Sequence, residues 1–281
     1  MRLKKKPLMI LIVSVALLLG LLAWIIWSNT ALELNTYTIE CDQLPAAFNG
    51  YRIAHISDLH NAEIGNDNEK LLSVLSKAKP DMIAVTGDLI DSRRTDMEVA
   101  LRFMEKAMLI APCYYVSGNH EARIDTYDAL KAGLDQLGVI VLTNEMIGVT
   151  RNGEMIALLG LEDPDFQTTD ASLQVATKLE ELPVSQTEFT VLLSHRPELF
   201  NVYADYNLDL VLTGHTHGGQ FRLPFVGAVI APDQGLFPKY DAGLYTKGET
   251  NMIISRGIGN SVLPFRFNNC PEIIVVELHK K

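Results

Sequence analysis

The chain opens with a long apolar segment, after which short apolar runs alternate with amphipathic stretches. Residues 7–27 carry no charge, and as a helix they would be roughly 30 Å long, the thickness of a bilayer core. They follow the basic stretch MRLKKK and end at Trp24 and Trp27. Basic residues favour the cytoplasmic side of a membrane and indole rings favour its interface. The segment is predicted to be an uncleaved transmembrane anchor, with a cleavable signal peptide as the alternative.

Five short apolar or β-favouring runs each end at a polar cluster. They are RIAHI before SDLH, DMIAVT before GDLID, CYYVS before GNHE, TVLLS before HRP, and LDLVLT before GHTH. Continuous apolar runs suit strands that are buried on both faces. In α/β folds, active-site loops gather at the C-terminal ends of such strands. The polar clusters are therefore expected to meet at one sheet edge.

Amphipathic patterns between these runs predict helices. Apolar residues recur at helical spacing over 67–79, and further helices are predicted over 126–137 and 170–181. A capping box, TDME at 95–98, is expected to open another helix, and Pro197 to start a fifth. The alternation of strand and helix predicts an α/β fold.

Three parts of the chain are distinguished by pattern. Residues 1–28 are predicted to form a basic cytoplasmic tip and membrane anchor. Residues 29–50 are polar and end in LPAAFNG, whose proline and glycine indicate a turn before the first strand. They are interpreted as a juxtamembrane linker and lead-in, and residues 51–281 as one catalytic domain.

Charge and cysteine usage narrow the functional classes. The net charge is −10, and the basic N-terminal tip contributes no acidic residue, so the remainder is more acidic still. Nucleic-acid binding needs clustered Lys and Arg and is not expected, whereas a small phosphorylated substrate is compatible. The three cysteines form no CxxC pair, which argues against a zinc knuckle and leaves a single disulfide open.

The anchor predicts a single-pass protein of the cell membrane with a cytoplasmic N-terminus and an extracytoplasmic catalytic domain.

Histidines concentrate at the ends of the β-like runs. Five of the seven occupy such positions, namely His60, His120, His195, His215 and His217. The last two lie one residue apart between glycines, which permit a tight turn that can bring both imidazoles to one point. Convergent histidines indicate a metal site, although a surface loop that carries two histidines is the alternative for this motif alone.

Taken in order, the clusters match the pattern D-x-H, G-D-x-x-D, G-N-H-[DE], a lone H, and G-H-x-H. Between Asp58 and His217 the chain thereby resembles the calcineurin-like metallophosphoesterases. GHTHGGQFRLP and SRGIGNSVLPFRFNNCPEIIVVEL further resemble the bacterial membrane-associated branch, which includes exported phosphoesterases and UDP-diacylglucosamine pyrophosphohydrolases. The resemblance implies a four-layer α/β/β/α sandwich with two mixed sheets.

The same resemblance implies two divalent metal ions, with Mn²⁺ favoured over Fe, Zn or Ni. The first ion would be held by Asp58, His60, Asp88 and His217, and the second by Asp88 as a bridge with Asn119, His195 and His215. Oxygen and nitrogen ligands in similar number suit borderline divalent ions. A hydroxide between the ions is the implied nucleophile for in-line attack on phosphorus.

His120 and Asp91 are the implied catalytic pair. His120 would donate a proton to the phosphoryl oxygen or leaving group, and Asp91 would orient and charge its imidazole. A helix N-cap is the alternative for Asp91. Glu121 is expected to cap a helix or support a ligand. Protein Ser/Thr phosphatases carry an arginine where this chain has Ser92. This difference argues against a protein Ser/Thr phosphatase.

The predicted function is a membrane-anchored dinuclear phosphohydrolase that cleaves a phosphodiester or pyrophosphate, with a lipid-linked or cell-envelope substrate. Alternatives are a phosphate-binding ectodomain without turnover and a phosphomonoesterase. A metallo-β-lactamase-like hydrolase ranks lower, because two glycines follow His217 in place of the HxHxDH pattern. The segment LPFVGAVIAP is interpreted either as a lipid-facing wall or as core strands. Four arginines are weaker candidates for phosphate contacts: Arg196, Arg222, Arg256 and Arg266.

Overall fold

The computed structural model describes residues 5–184, 188–261 and 263–281. Within these ranges it contains seven α-helices: α1 Lys5–Thr30, α2 Glu69–Ala78, α3 Met97–Met108, α4 Asn119–Ala122, α5 Tyr127–Gln136, α6 Ala171–Glu181 and α7 Phe200–Asp205. The first eight strands along the described chain are β1 Glu33–Cys41, β2 Tyr51–Ile56, β3 Met82–Thr86, β4 Cys113–Val116, β5 Ile140–Val141, β6 Glu145–Arg151, β7 Glu154–Gly160 and β8 Thr190–Leu193. The remaining strands are β9 Leu210–Thr213, β10 Arg222–Leu223, β11 Gly227–Ala228, β12 Ile230–Ala231, β13 Gly235–Leu236, β14 Gly243–Lys247, β15 Thr250–Ile254 and β16 Glu272–Lys280.

Two mixed sheets form the centre of the fold. The first has the order β1-β16-β2-β3-β4-β5 and is parallel except between β16 and β2. The second has the order β14-β15-β9-β8-β7-β6 and is antiparallel only at its two outermost pairs. Side chains such as Ile53, Val116, Val191 and Leu212 pack between the sheets in one buried core.

Helices cover the outer faces of both sheets. Buried residues of α2, α3 and α5 pack with the outward-facing residues of the first sheet, and those of α6 and α7 with the second. On α2, Leu71, Leu75 and Ala78 supply the buried stripe, because residues three or four apart share one helix face. The predicted four-layer sandwich is confirmed.

The helix that was expected to open at a TDME capping box begins differently. Its N-cap is Asp96, whose carboxylate accepts the backbone N–H groups of Glu98 (3.1 Å) and Val99 (3.3 Å). The Thr95 hydroxyl instead donates to the Asp91 carbonyl at 3.4 Å. The capping-box prediction was therefore wrong by one residue, since an aspartate caps as well as a threonine. Pro197 opens a 3₁₀ helix, Pro197–Leu199, that leads into α7.

The interpretation of residues 29–50 as a linker is wrong for Glu33–Cys41. This segment is β1, which pairs with β16 over its whole length as an edge strand. Its alternation of half-buried and exposed residues suits an edge that meets solvent on one face. The first strand of the fold thus precedes RIAHI.

Strand directions place the end of α1 beside the C-terminal ends of the parallel strands. Because β16 runs antiparallel to β2 and parallel to β1, both β16 and β1 begin where β2 ends. We call this side of the sandwich the ligand edge. Asn29, near the end of α1, donates to the Arg266 carbonyl at 2.9 Å and accepts the Arg266 N–H at 2.8 Å. Trp24 stacks on Phe267 with ring centroids 6.1 Å apart.

Helix α1 is long and apolar enough to cross a membrane. The span covers Lys6–Thr30, and its 18-residue apolar window has a mean hydropathy of 2.9 and contains no buried residue. The disulfide that the sequence left open does not form in this structure, where Cys41, Cys113 and Cys270 are free.

Candidate metal centre

The predicted ligand residues lie in tight loops at the ligand edge. Five of them have left-handed backbone angles: Asp58 (φ 54°), His60 (46°), Asp88 (53°), His215 (70°) and His217 (51°). Such angles are disfavoured for non-glycine residues and each costs of order 1–3 kcal/mol. The loops turn sharply enough to aim successive side chains inward. Strain of this kind concentrates at functional sites.

Asp58, His60, Asp88 and His217 form one buried group whose candidate ligand atoms all lie within 4.8 Å of one another. The Nε2 atoms of His60 and His217 are 3.1 Å apart. His60 Nε2 lies 3.4 Å from Asp88 Oδ2, and His217 Nε2 lies 3.3 Å from Asp58 Oδ1. The candidate ligand atoms of these four side chains therefore surround a single point.

A second group lies on the other side of Asp88. His195 Nε2 is 3.3 Å from Asp88 Oδ2, 3.2 Å from Asn119 Oδ1 and 3.2 Å from His215 Nδ1. The His195 Nδ1–H donates to the Thr86 carbonyl at 2.6 Å, so in the neutral imidazole the Nε2 lone pair is directed at the group. Asp88 Oδ2 is thus shared between the two groups.

The composition of both groups fits divalent cations. Two buried carboxylates, Asp58 and Asp88, need positive charge to offset the cost of burial. Burial favours the neutral form of Asp88, but His195 and His60 outweigh it and hold the pKa of Asp88 well below its ordinary value. Burial likewise opposes charge on His195, yet the nearby Asp88 raises the pKa of His195 to about 10. Imidazole, carboxylate and amide ligands together suit borderline divalent metals.

Glu121 supports the centre from behind. Its carboxylate accepts the backbone N–H groups of Asp88 and Gly118, both at 2.8 Å, and of Ile90 at 3.3 Å. Burial and the neighbouring Asp88 charge raise the pKa of Glu121 to about 7. A Cβ atom at Gly118 would collide with the Asp88 side chain, so glycine permits the two loops to touch. Glu121 therefore ties the GDLID and GNHE loops together.

His120 lies beside the first group, with its ring centroid 4.4 Å from that of His60. The backbone N–H of Ser92 donates to His120 Nδ1 at 2.9 Å, so in the neutral imidazole the proton is on Nε2. Burial lowers the pKa of His120 to about 4. The orientation of the ring is therefore set by the backbone of Ser92.

Asp91 does not make the expected hydrogen bond to His120. The closest approach between Asp91 Oδ1 and His120 Nδ1 is 3.7 Å. The Asp91 carboxylate accepts instead from Arg93, through its backbone N–H at 2.9 Å and its guanidinium at 3.1 and 2.9 Å. The alternative of an N-cap for α3 is also wrong, because Asp96 has that position. Asp91 shapes the turn that presents Ser92 to His120.

Asp233 and Asp163 are neighbours of the centre that the sequence did not indicate. His215 Nε2 donates to Asp233 Oδ2 at 2.8 Å, and this bond lowers the pKa of Asp233 to about 2. Arg196 donates to Asp233 at 2.6 Å and to Asp163 at 2.6 and 2.8 Å. These contacts orient His215 from outside the group.

Asn269 also supports a ligand loop, since its side-chain amide donates to the His217 carbonyl at 2.7 Å. Asn269 belongs to the quoted C-terminal stretch SRGIGNSVLPFRFNNCPEIIVVEL. The sequence of that stretch resembles the bacterial membrane-associated branch, but it does not predict the hydrogen bond from Asn269 to His217.

The other arginine candidates are engaged within the fold. Arg222 donates to the Gly218 carbonyl at 3.0 Å. Arg256 pairs with Glu33 and Glu272, each at 2.7 Å. The guanidinium of the buried Arg266 donates to the carbonyl oxygens of residues 256 and 259. These side chains stabilise loops of the ligand edge.

Comparison with known proteins agrees with this geometry. The family model described as calcineurin-like phosphoesterase matches residues 51–219. YkuE of Bacillus subtilis, named as an uncharacterized metallophosphoesterase, is 32% identical over 261 residues, which cover 88% of this chain and 85% of YkuE. Phosphodiesterase YaeI of Escherichia coli is 29% identical over 244 residues, covering 81% and 82% of the two chains. The crystal structure of TT1561 of Thermus thermophilus shares the fold, with a TM-score of 0.52 and 14% identity over 74% of this chain and 90% of that one.

Proposed function

The chain belongs to the calcineurin-like phosphoesterases, and from this premise we propose that it is a membrane-anchored, dinuclear phosphohydrolase that cleaves a phosphodiester or a pyrophosphate. One observation carries the proposal: Asp88 Oδ2 lies 3.4 Å from His60 Nε2 and 3.3 Å from His195 Nε2. A carboxylate shared by two imidazole groups is suited to bridging two cations.

The proposed ligands divide between the two groups. Asp58, His60, Asp88 and His217 would hold the first ion, while Asp88, Asn119, His195 and His215 would hold the second. When bound, two divalent ions, with Mn²⁺ preferred, supply Lewis-acid polarisation of the phosphoryl group and lower the pKa of a hydrolytic water. The chain contributes fixed donor positions, since Thr86 orients His195 and Asp233 orients His215.

His120 is the proposed proton donor. Because Ser92 N–H occupies Nδ1, the neutral ring presents Nε2–H as a donor to a phosphoryl oxygen or a leaving oxygen. Asp91 is the proposed positioning residue, acting through the turn that includes Ser92 and Arg93.

The substrate is proposed to be lipid-linked or a phosphate of the cell envelope. Helix α1 joins the fold at the ligand edge, so an anchored chain holds its metal centre close to a bilayer. The basic tip favours a cytoplasmic N-terminus and an extracytoplasmic domain in a single-pass arrangement. In this proposal residues 7–27 form the span and the catalytic unit begins at β1.

Hydrolysis by the full chain in detergent tests the proposal. Bis-p-nitrophenyl phosphate, p-nitrophenyl phosphate and a nucleoside diphosphate sugar are offered to the chelated protein before and after addition of Mn²⁺. The expected result is diester or pyrophosphate hydrolysis that Mn²⁺ restores and that His217→Ala abolishes. His279→Ala is the matched control, because this imidazole is 40% exposed near the end of the otherwise buried last strand.

The other outcomes contradict the proposal in distinct ways. Hydrolysis confined to the monoester would identify a phosphomonoesterase. Tight Mn²⁺ binding without turnover of any substrate would identify a phosphate-binding ectodomain.

A further inference from the structure

Two short hairpins, β10–β11 and β12–β13, lie outside both sheets and expose large apolar side chains. With one neighbouring loop residue they form a surface that we call the apolar rim: Leu223, Phe225, Val226, Leu236, Phe237 and Phe265. Phe225 is fully exposed, and Phe237 is 63% exposed. The segment LPFVGAVIAP thus supplies no strand to either main sheet. Contiguous exposed apolar side chains of this kind indicate an interaction surface.

Backbone conformation adds to the case. Phe225 and Phe237 have left-handed φ angles of 66° and 53°, which are unusual for bulky residues. Phe225 lies wholly and Phe237 mostly in solvent, where the rings gain little packing energy within the chain. A partner outside the chain accounts for this exposure better than folding does.

The rim is continuous with the end of helix α1. Phe221, at the base of the hairpins, packs edge-to-face on Phe265 at 5.2 Å and lies 6.4 Å from Phe267. Phe267 in turn stacks on Trp24 of α1 at 6.1 Å. The Phe237 N–H donates to the Val229 carbonyl, and the Val229 N–H donates to the Phe221 carbonyl. An unbroken path of contacts therefore joins Trp24 to the hairpins.

This path relates the rim to the membrane depth of Trp24. Trp24 precedes the end of α1 at Thr30 by about 9 Å at 1.5 Å per residue. An indole at the end of a membrane span prefers the interfacial layer. Phe267, which stacks on Trp24, therefore lies in the same layer when α1 spans a bilayer, and the rim residue Phe265 adjoins it through Phe221.

The geometry points to the interfacial layer of the bilayer as the partner of the apolar rim. We propose that the rim inserts there beside α1, so that the ligand edge faces the lipid headgroups. A second copy of this chain is the competing occupant, but the contact with Trp24 favours lipid. The inference rests on the proposed anchoring and goes beyond the proposed hydrolysis, because it assigns an orientation to the domain.

Fluorescence quenching in proteoliposomes tests this orientation. In a full-length background with Trp24→Phe and Trp27→Phe, a reporter is introduced as Phe225→Trp. The matched control is Leu109→Trp, an 86% exposed position between α3 and β4, at the edge opposite the ligand edge. Vesicles of phosphatidylcholine with and without bromine near the top of the acyl chains supply the quencher.

The expected result is loss of emission from Phe225→Trp in brominated vesicles and no loss from Leu109→Trp. Equal emission in both lipids for Phe225→Trp would overturn the proposal. A blue-shifted, unquenched Phe225→Trp signal with a dimer in detergent would assign the rim to a second copy and also overturn it.

The native protein separates this inference from the proposed anchoring. Quenching of Trp24 and Trp27 in the unsubstituted chain reports the membrane insertion of α1. If these residues are quenched and Phe225→Trp is not, the rim proposal fails alone. If neither is quenched, the anchoring itself fails. The readout requires no turnover, so it is independent of the hydrolytic proposal.

Discussion

The metal centre and the apolar rim occupy the same edge of the sandwich and are built in opposite ways. In the centre, polar side chains are buried, and backbone or carboxylate partners orient His120, His195 and His215. In the rim, apolar side chains such as Phe225 lie in solvent outside both sheets. Buried polar groups need hydrogen-bond partners, whereas clustered exposed apolar groups mark a site that binds another surface. Substitutions in the centre should therefore change metal binding and hydrolysis. Substitutions in the rim should change the position of the domain at a membrane.

The largest effect is expected for Asp88→Asn. The amide keeps the shape but removes the charge shared by the two histidine groups, so metal binding and hydrolysis should both fall to background. Inductively coupled plasma mass spectrometry and diester turnover measure the two effects. Asp125→Asn, on an exposed loop, is the control and should match the wild type. Full activity in Asp88→Asn would show that the Asp88 carboxylate does not bridge two ions.

A loss of about 10²–10⁴-fold in kcat is expected for His120→Ala. The metal content should remain that of the wild type, because His120 lies beside the ligands. Measuring kcat and bound metal on the same preparation separates proton donation from metal binding. Loss of metal in His120→Ala would show that this residue acts as a ligand.

Sequence alone could place the centre because its proposed ligands follow parallel strands. Asp58, Asp88, Asn119 and His195 each come shortly after a buried run, and such strands end at one sheet edge. Asp91 and His120 are separated by 3.7 Å and do not form the hydrogen bond that the sequence implied. The turn at Ser92 and Arg93 supplies the partners of both side chains instead. A backbone N–H such as that of Ser92 has no signature in a sequence.

Asp233, β1 and the hairpins escaped prediction for other reasons. Asp233 lies 18 residues after His215, beyond the β10–β11 hairpin and β12, so the contact exists only after tertiary packing. The polar alternation of β1 lacks the continuous apolar run that marks the buried strands, because an edge strand needs none. An apolar segment such as LPFVGAVIAP suits a core strand or a lipid contact equally, and its composition cannot separate the two.

Asp233→Asn should lower metal affinity by about 10–100-fold, the range for partners that orient a ligand imidazole. The amide can still contact His215, but it no longer offers a charged acceptor to Nε2–H. Titration of the chelated protein with Mn²⁺ measures the shift. Asp205→Asn, whose side chain is 74% exposed, controls for loss of surface charge. An unchanged affinity would make Asp233 a structural partner of Arg196 only.

Asp91→Asn should have a smaller effect than His120→Ala, because Asp91 contacts Arg93 and not the imidazole. Arg93 is 45% exposed and Asp91 is buried, so the amide weakens the contact with Arg93 and removes no contact of the imidazole. The pH profile of kcat, measured for both variants, checks the assignment. A loss as large as that of His120→Ala would restore the direct carboxylate–histidine pair.

The smallest effect is expected for Phe225→Asn. Asparagine tolerates left-handed backbone angles better than phenylalanine, and exposed positions usually change stability within about 0.5 kcal/mol. The melting temperature and hydrolysis of a water-soluble diester in detergent should therefore stay unchanged. A large loss of either would show that the rim supports the fold or the centre.

The proposed hydrolysis depends on two metal ions that would share Asp88. Electron paramagnetic resonance of the Mn²⁺-loaded full chain tests it most directly, because neighbouring Mn²⁺ ions couple magnetically. A spin-coupled signal is expected in the wild type, replaced in Asp88→Asn by the spectrum of isolated ions or by none. A wild-type spectrum of isolated Mn²⁺ at saturating metal would contradict the dinuclear centre.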